Sequence, residues 1–93
     1  RLDFTQTVDA VARQVLAFNP PGAFFEVGGE RVRVLAAKIT EANGASGAVL
    51  DDMLTVGCAS GSIRPTSVQR AGRGVMTTTE LLNGFPIPTG TRL

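Results

Sequence analysis

Nine basic side chains and no histidine set the terms for what this 93-residue chain can do. Without an imidazole, the commonest general base and the commonest metal ligand are both missing. Asp51-Asp52 places two carboxylates side by side, but neighbours on a strand point to opposite faces and aspartates favour tight turns, so the pair reads as a turn. Cys58 lies on the apolar phase of "MLTVGCA" with nothing to activate it as a nucleophile, and it reads as a small core residue. One cysteine and no histidine cannot build a structural zinc site or an internal disulfide, which points to a reducing, cytoplasmic setting. "VGGERVRV" lacks the strand-loop-helix context of a phosphate loop. No complete active site is left, so catalysis, cofactor binding and metal binding are not expected of these residues by themselves.

What remains is binding. Arg31, Arg33 and Lys38 form one group of cations and Arg64, Arg70 and Arg73 another, suited to phosphate oxygens, which require positive charge without requiring a particular base. The net charge is only +1, yet it is unevenly spread. Residues 1–52 hold five basic against seven acidic groups, whereas residues 53–93 hold four against one. All five aromatics are phenylalanine, and Phe18, Phe24, Phe25 and Phe85 sit beside breaks or in apolar runs where core packing is the expected use. Any nucleic-acid contact is therefore expected to be electrostatic and poorly sequence-selective.

The elements that must carry these cations follow from periodicity. Val8, Val11, Ala12, Val15 and Leu16 form one stripe of a helix over Thr5 to Phe18, with Thr5 as its cap and Asp9 near its positive end. Asn19-Pro20-Pro21-Gly22 ends it, because the residue before a proline leaves helical dihedrals. The period then becomes two: "AFFEV" and "ERVRV", joined by Gly28-Gly29, predict a tight hairpin. After Val34 the apolar phase slips to Leu35, Ala37 and Ile39, which predicts a bulge near Val34-Leu35 and puts Lys38 on the face of Arg31 and Arg33.

A loop, Glu41 to Gly47, leads to a second hairpin, "AVL" and "MLTVGCA" around Asp51-Asp52, with Leu54, Val56 and Cys58 inward. Pro65 in "SIRPTSVQR" predicts an edge strand or a bulge, and "AGRG" a flexible loop. In "MTTTELLNGFP", Thr77 and Glu80 form a capping box, Met76 and Leu81 a hydrophobic staple, and Asn83-Gly84 a left-handed stop before Pro86. So short a helix needs burial of Leu81 and Leu82 to persist, as a lid on a barrel end. "PIPTGTRL" continues as an extended tail. The fold class is mainly β with short helices, a small open antiparallel barrel. At 43% hydrophobic the chain supports a single domain spanning residues 1–93, and the start at Arg1 in mid-pattern suggests a piece cut from a longer protein. No apolar run reaches the roughly 20 residues of a membrane span.

"FNPPGAF", "AVLDDMLTVGCASGSIRPTSVQRAGRG" and "MTTTELLNGFPIPTGTRL", in that order, resemble the C-terminal domain of bacterial methionyl-tRNA formyltransferases across nearly the whole chain. The resemblance implies a barrel like the oligonucleotide-binding fold, following in cis an N-terminal Rossmann-like domain. That domain transfers a formyl group from 10-formyltetrahydrofolate to methionine on initiator tRNA, and it holds the catalytic asparagine, histidine and aspartate. The resembling stretch would hold the tRNA weakly and electrostatically, with no cofactor or metal of its own. Arg73 matches the basic residue after a glycine in the family's loop, ahead of Arg70, Arg64, Lys38, Arg31 and Arg33. Two departures stand out: the family has a residue between the prolines at 20 and 21, and an apolar residue where this chain has Pro65. A structural domain of another folate-dependent formyltransferase or hydrolase, binding no RNA, and a free-standing interaction module are the alternatives.

Overall fold

The computed structural model describes residues 2–16 and 22–93. The predicted helix end at Phe18 and the Asn19-Pro20-Pro21 break lie outside them. The first helix, α1, spans Val8–Leu16 and is capped by Thr7, whose Oγ1 accepts from the Ala10 amide at 3.3 Å. Thr5, the expected cap, is held instead in a turn by Asp3, whose carboxylate accepts its amide at 3.0 Å. Val11 is fully buried and Val8, Ala12 and Val15 pack beside it, but Leu16 is 72% exposed and does not share the buried stripe.

Strands β1 (Phe24–Val27) and β2 (Glu30–Thr40) form the expected hairpin. Gly28 and Gly29 take φ of +57° and +80°, the positive pair that a two-residue primed turn demands. β2 then pairs along its length with β4 (Ser62–Arg70), and the predicted phase slip is there as two opposed irregularities. Leu35 is the extra residue on β2 and Thr66 the extra residue on β4, so the second shift cancels the first and Lys38 meets Arg64 in the register that Val34 has with Val68. The bulges bend the ladder. They do not bury the apolar residues beyond them as expected: Leu35 is 38% and Ile39 51% exposed, while Ala37 packs on the core.

The sheet order is β1-β2-β4-β3, with β3 (Val56–Gly57) and β5 (Met76–Thr77) both on the far edge of β4. Pro65 is thus in a central strand, and of the two expectations the bulge holds and the edge does not. Its missing donor is tolerated because β3 covers this edge of β4 only as far as Ile63 and β5 only from Ser67 on, leaving a gap where the Thr78 hydroxyl donates to the Pro65 carbonyl at 2.6 Å.

The second hairpin is shorter than expected. Val49 bridges Val56, and the turn is built on Asp51, whose Oδ1 accepts the Met53 and Thr55 amides at 2.9 and 3.1 Å. The tail returns to this segment, with Leu93 donating to the Gly47 carbonyl and Val49 to that of Thr91.

Helix α2 (Thr78–Gly84) has the full capping box: Thr77 Oγ1 accepts the Glu80 amide at 3.2 Å and Glu80 accepts the Thr77 amide at 3.0 Å. The Thr77 amide first, and the Thr77 hydroxyl second, hold the Glu80 carboxyl below its ordinary value. Leu81 is buried and Leu82 partly so, which fits the lid. The expected left-handed stop is absent. Phe85 ends the helix with φ −146° and ψ 79°, outside the left-handed region, its amide on the Leu81 carbonyl and its ring carried over to Arg70.

Phe25, Val32, Leu54, Ile63, Val68 and Leu81 fill the concave side of the sheet. The fold is mainly β, a curled antiparallel half-barrel with two short helices, like a small oligonucleotide-binding barrel.

Candidate nucleic-acid interface

Alternation along β2 buries Val32 and Val34 and leaves Arg31 and Arg33 exposed. Arg31 does not reach freely into solvent: its Cζ lies 4.0 Å from the centroid of Phe24, a diagonal neighbour across the hairpin, in cation–π geometry. Arg33 folds toward Gly22, where a Cβ would stand 3.3 Å from its Nη2. Opposite Arg33 on β4 is Gln69, and the two line a small groove of about 170 Å³ with Arg31, Arg70, Ala71 and Gly72.

The loop after β4 begins as a turn. The Arg73 amide donates to the Arg70 carbonyl at 3.1 Å, Gly72 takes φ +75°, and Gln69 Nε2 donates to the Arg73 carbonyl at 2.8 Å. Residues 71–75 are exposed, Arg73 among them. The outer face of β4 is thereby tied to the loop, and Arg73 stands at the same end of the sheet as Arg31 and Arg33.

Lys38 stands toward the other end of that outer face, as the phase slip predicts. It borders a groove of about 350 Å³ with Arg64, Thr66, Thr79 and Asn83. Across the pair, Arg64 Nε donates to the Thr55 hydroxyl at 2.9 Å, and its Nη2 lies 3.5 Å from Asp51. Thr55 also donates to Asp51, at 2.7 Å. Partial burial pushes the Asp51 carboxyl up, but the Thr55 hydroxyl, the Thr55 and Met53 amides and Arg64 outweigh it and hold it below its ordinary value.

Arg70 is turned to the inner side of the sheet, opposite Val32. Its Nη2 reaches both oxygens of Glu30, at 2.8 and 2.6 Å, and its guanidinium lies over Phe85 at 4.6 Å. Its Nε is buried with no hydrogen-bond partner among the described residues.

The six predicted cations therefore divide. Arg31, Arg33, Lys38 and Arg73 are exposed, all but Lys38 at one end of the sheet, while Arg64 and Arg70 are partly buried and share their charge with carboxylates. Nothing local in the sequence marks Glu30, Asp51, Thr55 or the two rings under arginines as partners of these cations. Cys58 is buried, and burial pushes its thiol up, away from reactivity. No helix among the described residues is long and apolar enough to cross a membrane.

The family model for the formyl transferase C-terminal domain matches residues 1–86. The chain is 54% identical over 96 residues to a methionyl-tRNA formyltransferase of Rhizorhabdus wittichii and 56% identical over 94 residues to that of Novosphingobium aromaticivorans, all of the chain being covered in each. The Paramagnetospirillum magneticum protein of the same name is 48% identical over 93 residues, 99% of the chain. The chain spans 30 to 31% of the length of these relatives. With its curled half-barrel and this full-length match, the chain belongs to the family of formyl transferase C-terminal domains.

Proposed function

We propose that the chain holds RNA for a methionyl-tRNA formyltransferase. In this reading the 93 residues form one accessory domain of a longer cytoplasmic protein. A preceding Rossmann-like domain moves the formyl group of 10-formyltetrahydrofolate onto methionyl initiator tRNA at the start of translation. The accessory domain neutralises phosphates and so keeps the tRNA in place.

The observation that carries the reading is the match of the whole chain to proteins named methionyl-tRNA formyltransferase. The exposure of Arg31, Arg33, Lys38 and Arg73 supports it on physical grounds, since a phosphate contact needs a cation that the polyanion can approach. Arg64 and Arg70 are the weaker members of the set, each already facing a carboxylate.

Titration of initiator tRNA into the chain at low and rising salt tests the reading. Weak binding that falls steeply with salt supports it; no binding at low salt, or binding indifferent to salt, discards it in favour of a structural domain without RNA. The longer protein should formylate charged initiator tRNA, and the 93 residues alone should not.

A further inference from the structure

We propose that Arg70 is a positioning residue: clamped between the Glu30 carboxylate and the Phe85 ring, it fixes the turn that presents Arg73 to RNA. The inference rests on the RNA-holding reading of Arg73 and adds to it a second residue with a different task.

The loop has little else to order it. A Cβ built on Gly72 or Gly74 would meet nothing within 4 Å, so neither glycine is packed against the body of the protein. Its order depends on its first residues. Arg70 supplies the carbonyl that receives the Arg73 amide, and Gln69 holds the Arg73 carbonyl from the preceding position. Arg70 is itself held from two sides that are far apart in sequence. Glu30 opens β2 just after the glycine turn, and Phe85 follows α2, with its ring 3.8 Å from where a Cβ on Gly28 would be. One guanidinium thus ties the first hairpin, the end of β4 and the end of α2 together at the base of the Arg73 turn.

The same geometry argues against Arg70 as a phosphate ligand. Its side chain is only 17% exposed, both carboxylate oxygens of Glu30 are engaged, and its Nε faces the interior. A phosphate would have to compete with a carboxylate whose two oxygens are already held by Nη2.

Glu30→Gln separates the two roles, because it weakens the clamp while freeing the Arg70 charge. Arg70→Leu is the more obvious change but also strips packing from Phe85. The first readout uses the 93-residue chain without RNA. Hydrogen exchange at the Arg73 amide should quicken about tenfold in Glu30→Gln, with core amides such as Val34 and Val68 unchanged, as local opening of the turn requires. Unchanged exchange at Arg73 overturns the proposal.

The second readout is the salt dependence of initiator-tRNA binding. A positioning role makes the slope of log K against log salt shallower in Glu30→Gln, by up to the roughly 0.7 to 0.9 that one phosphate contact contributes. Adding Arg73→Ala should then change it no further. An unchanged slope, or the steeper slope expected if freed Arg70 contacts phosphate, overturns the proposal. Absence of tRNA binding by the wild type would discard the RNA-holding reading alone, and the exchange result would still decide whether the clamp orders the turn.

Discussion

Lys38 stands directly opposite Arg64 across the β2–β4 pair. Like charges in that relation repel, and the protein relieves the repulsion by turning the Arg64 guanidinium aside to Thr55 and Asp51. Lys38 is left as the exposed cation of the two, beside a groove lined by Thr66, Thr79 and Asn83.

Asp51 therefore has two tasks, anchoring its turn through the Met53 and Thr55 amides and quenching Arg64. Asp51→Asn should destabilise the protein by about 1 kcal/mol, since hydrogen bonds to a charged group are lost but the site is partly open to water. The folded-state pKa lies below the ordinary 3.8, so this contribution is fully present above the unfolded pKa and is lost as pH falls through the folded one. Denaturation midpoints of wild type and variant should differ at pH 6 and converge in strong acid. A gap independent of pH would mean that the carboxylate charge is not what matters.

Thr77→Ala removes one half of the capping box and leaves the Glu80 amide without its acceptor. The expected cost is about 0.5 to 2 kcal/mol. Because α2 has only seven residues and is held by its cap and by Leu81, loss of the cap should lower the global denaturation midpoint and not merely fray one end. An unchanged midpoint would show that α2 is dispensable to the barrel.

The division among the cations gives a third expectation, in RNA binding. Arg73→Ala should lower affinity for tRNA and make the salt slope shallower by about 0.7 to 0.9, one phosphate contact. Arg64→Met should leave the slope near that of the wild type and lower the denaturation midpoint, because it breaks the Thr55 and Asp51 contacts. Equal slope changes in the two variants would mean that Arg64 leaves Asp51 when RNA arrives.

The features legible in the sequence are those whose causes are local. Gly28-Gly29 sets its own turn, Thr77 and Glu80 satisfy each other within three residues, and the phase slip after Val34 announces a bulge because burial fixes the period. Arg70 and Glu30 are 40 residues apart, and no periodicity reveals that β4 will lie along β2 and bring them together. The same pairing decides that Pro65 is central. Thr5 and Thr7 are equally good caps by residue type, and Asp3 settles the choice by engaging Thr5. The cations were legible as cations; which of them face carboxylates depended on contacts between distant strands.

Gly57 supplies the last expectation. It lies in β3, buried, with an ordinary negative φ, so conformational freedom does not explain a glycine there. Space does: a Cβ would stand 2.4 Å from the Ala45 carbonyl oxygen and 3.0 Å from that of Gly44. Both are backbone atoms of the 41–47 loop, which must move as a unit to make room. At Gly44 the added Cβ would instead meet the tip of the Leu50 side chain at 2.2 Å, and a leucine can change rotamer. Gly57→Ala should therefore cost about 2 to 3 kcal/mol, in the upper range for overpacking, and Gly44→Ala distinctly less. Because Val56 and Gly57 set the position of Thr55, the Gly57 variant should also loosen Arg64, seen as faster exchange of its Nε proton. Equal costs at the two glycines would mean that the loop yields as easily as a side chain, and that β3 is not wedged beneath it.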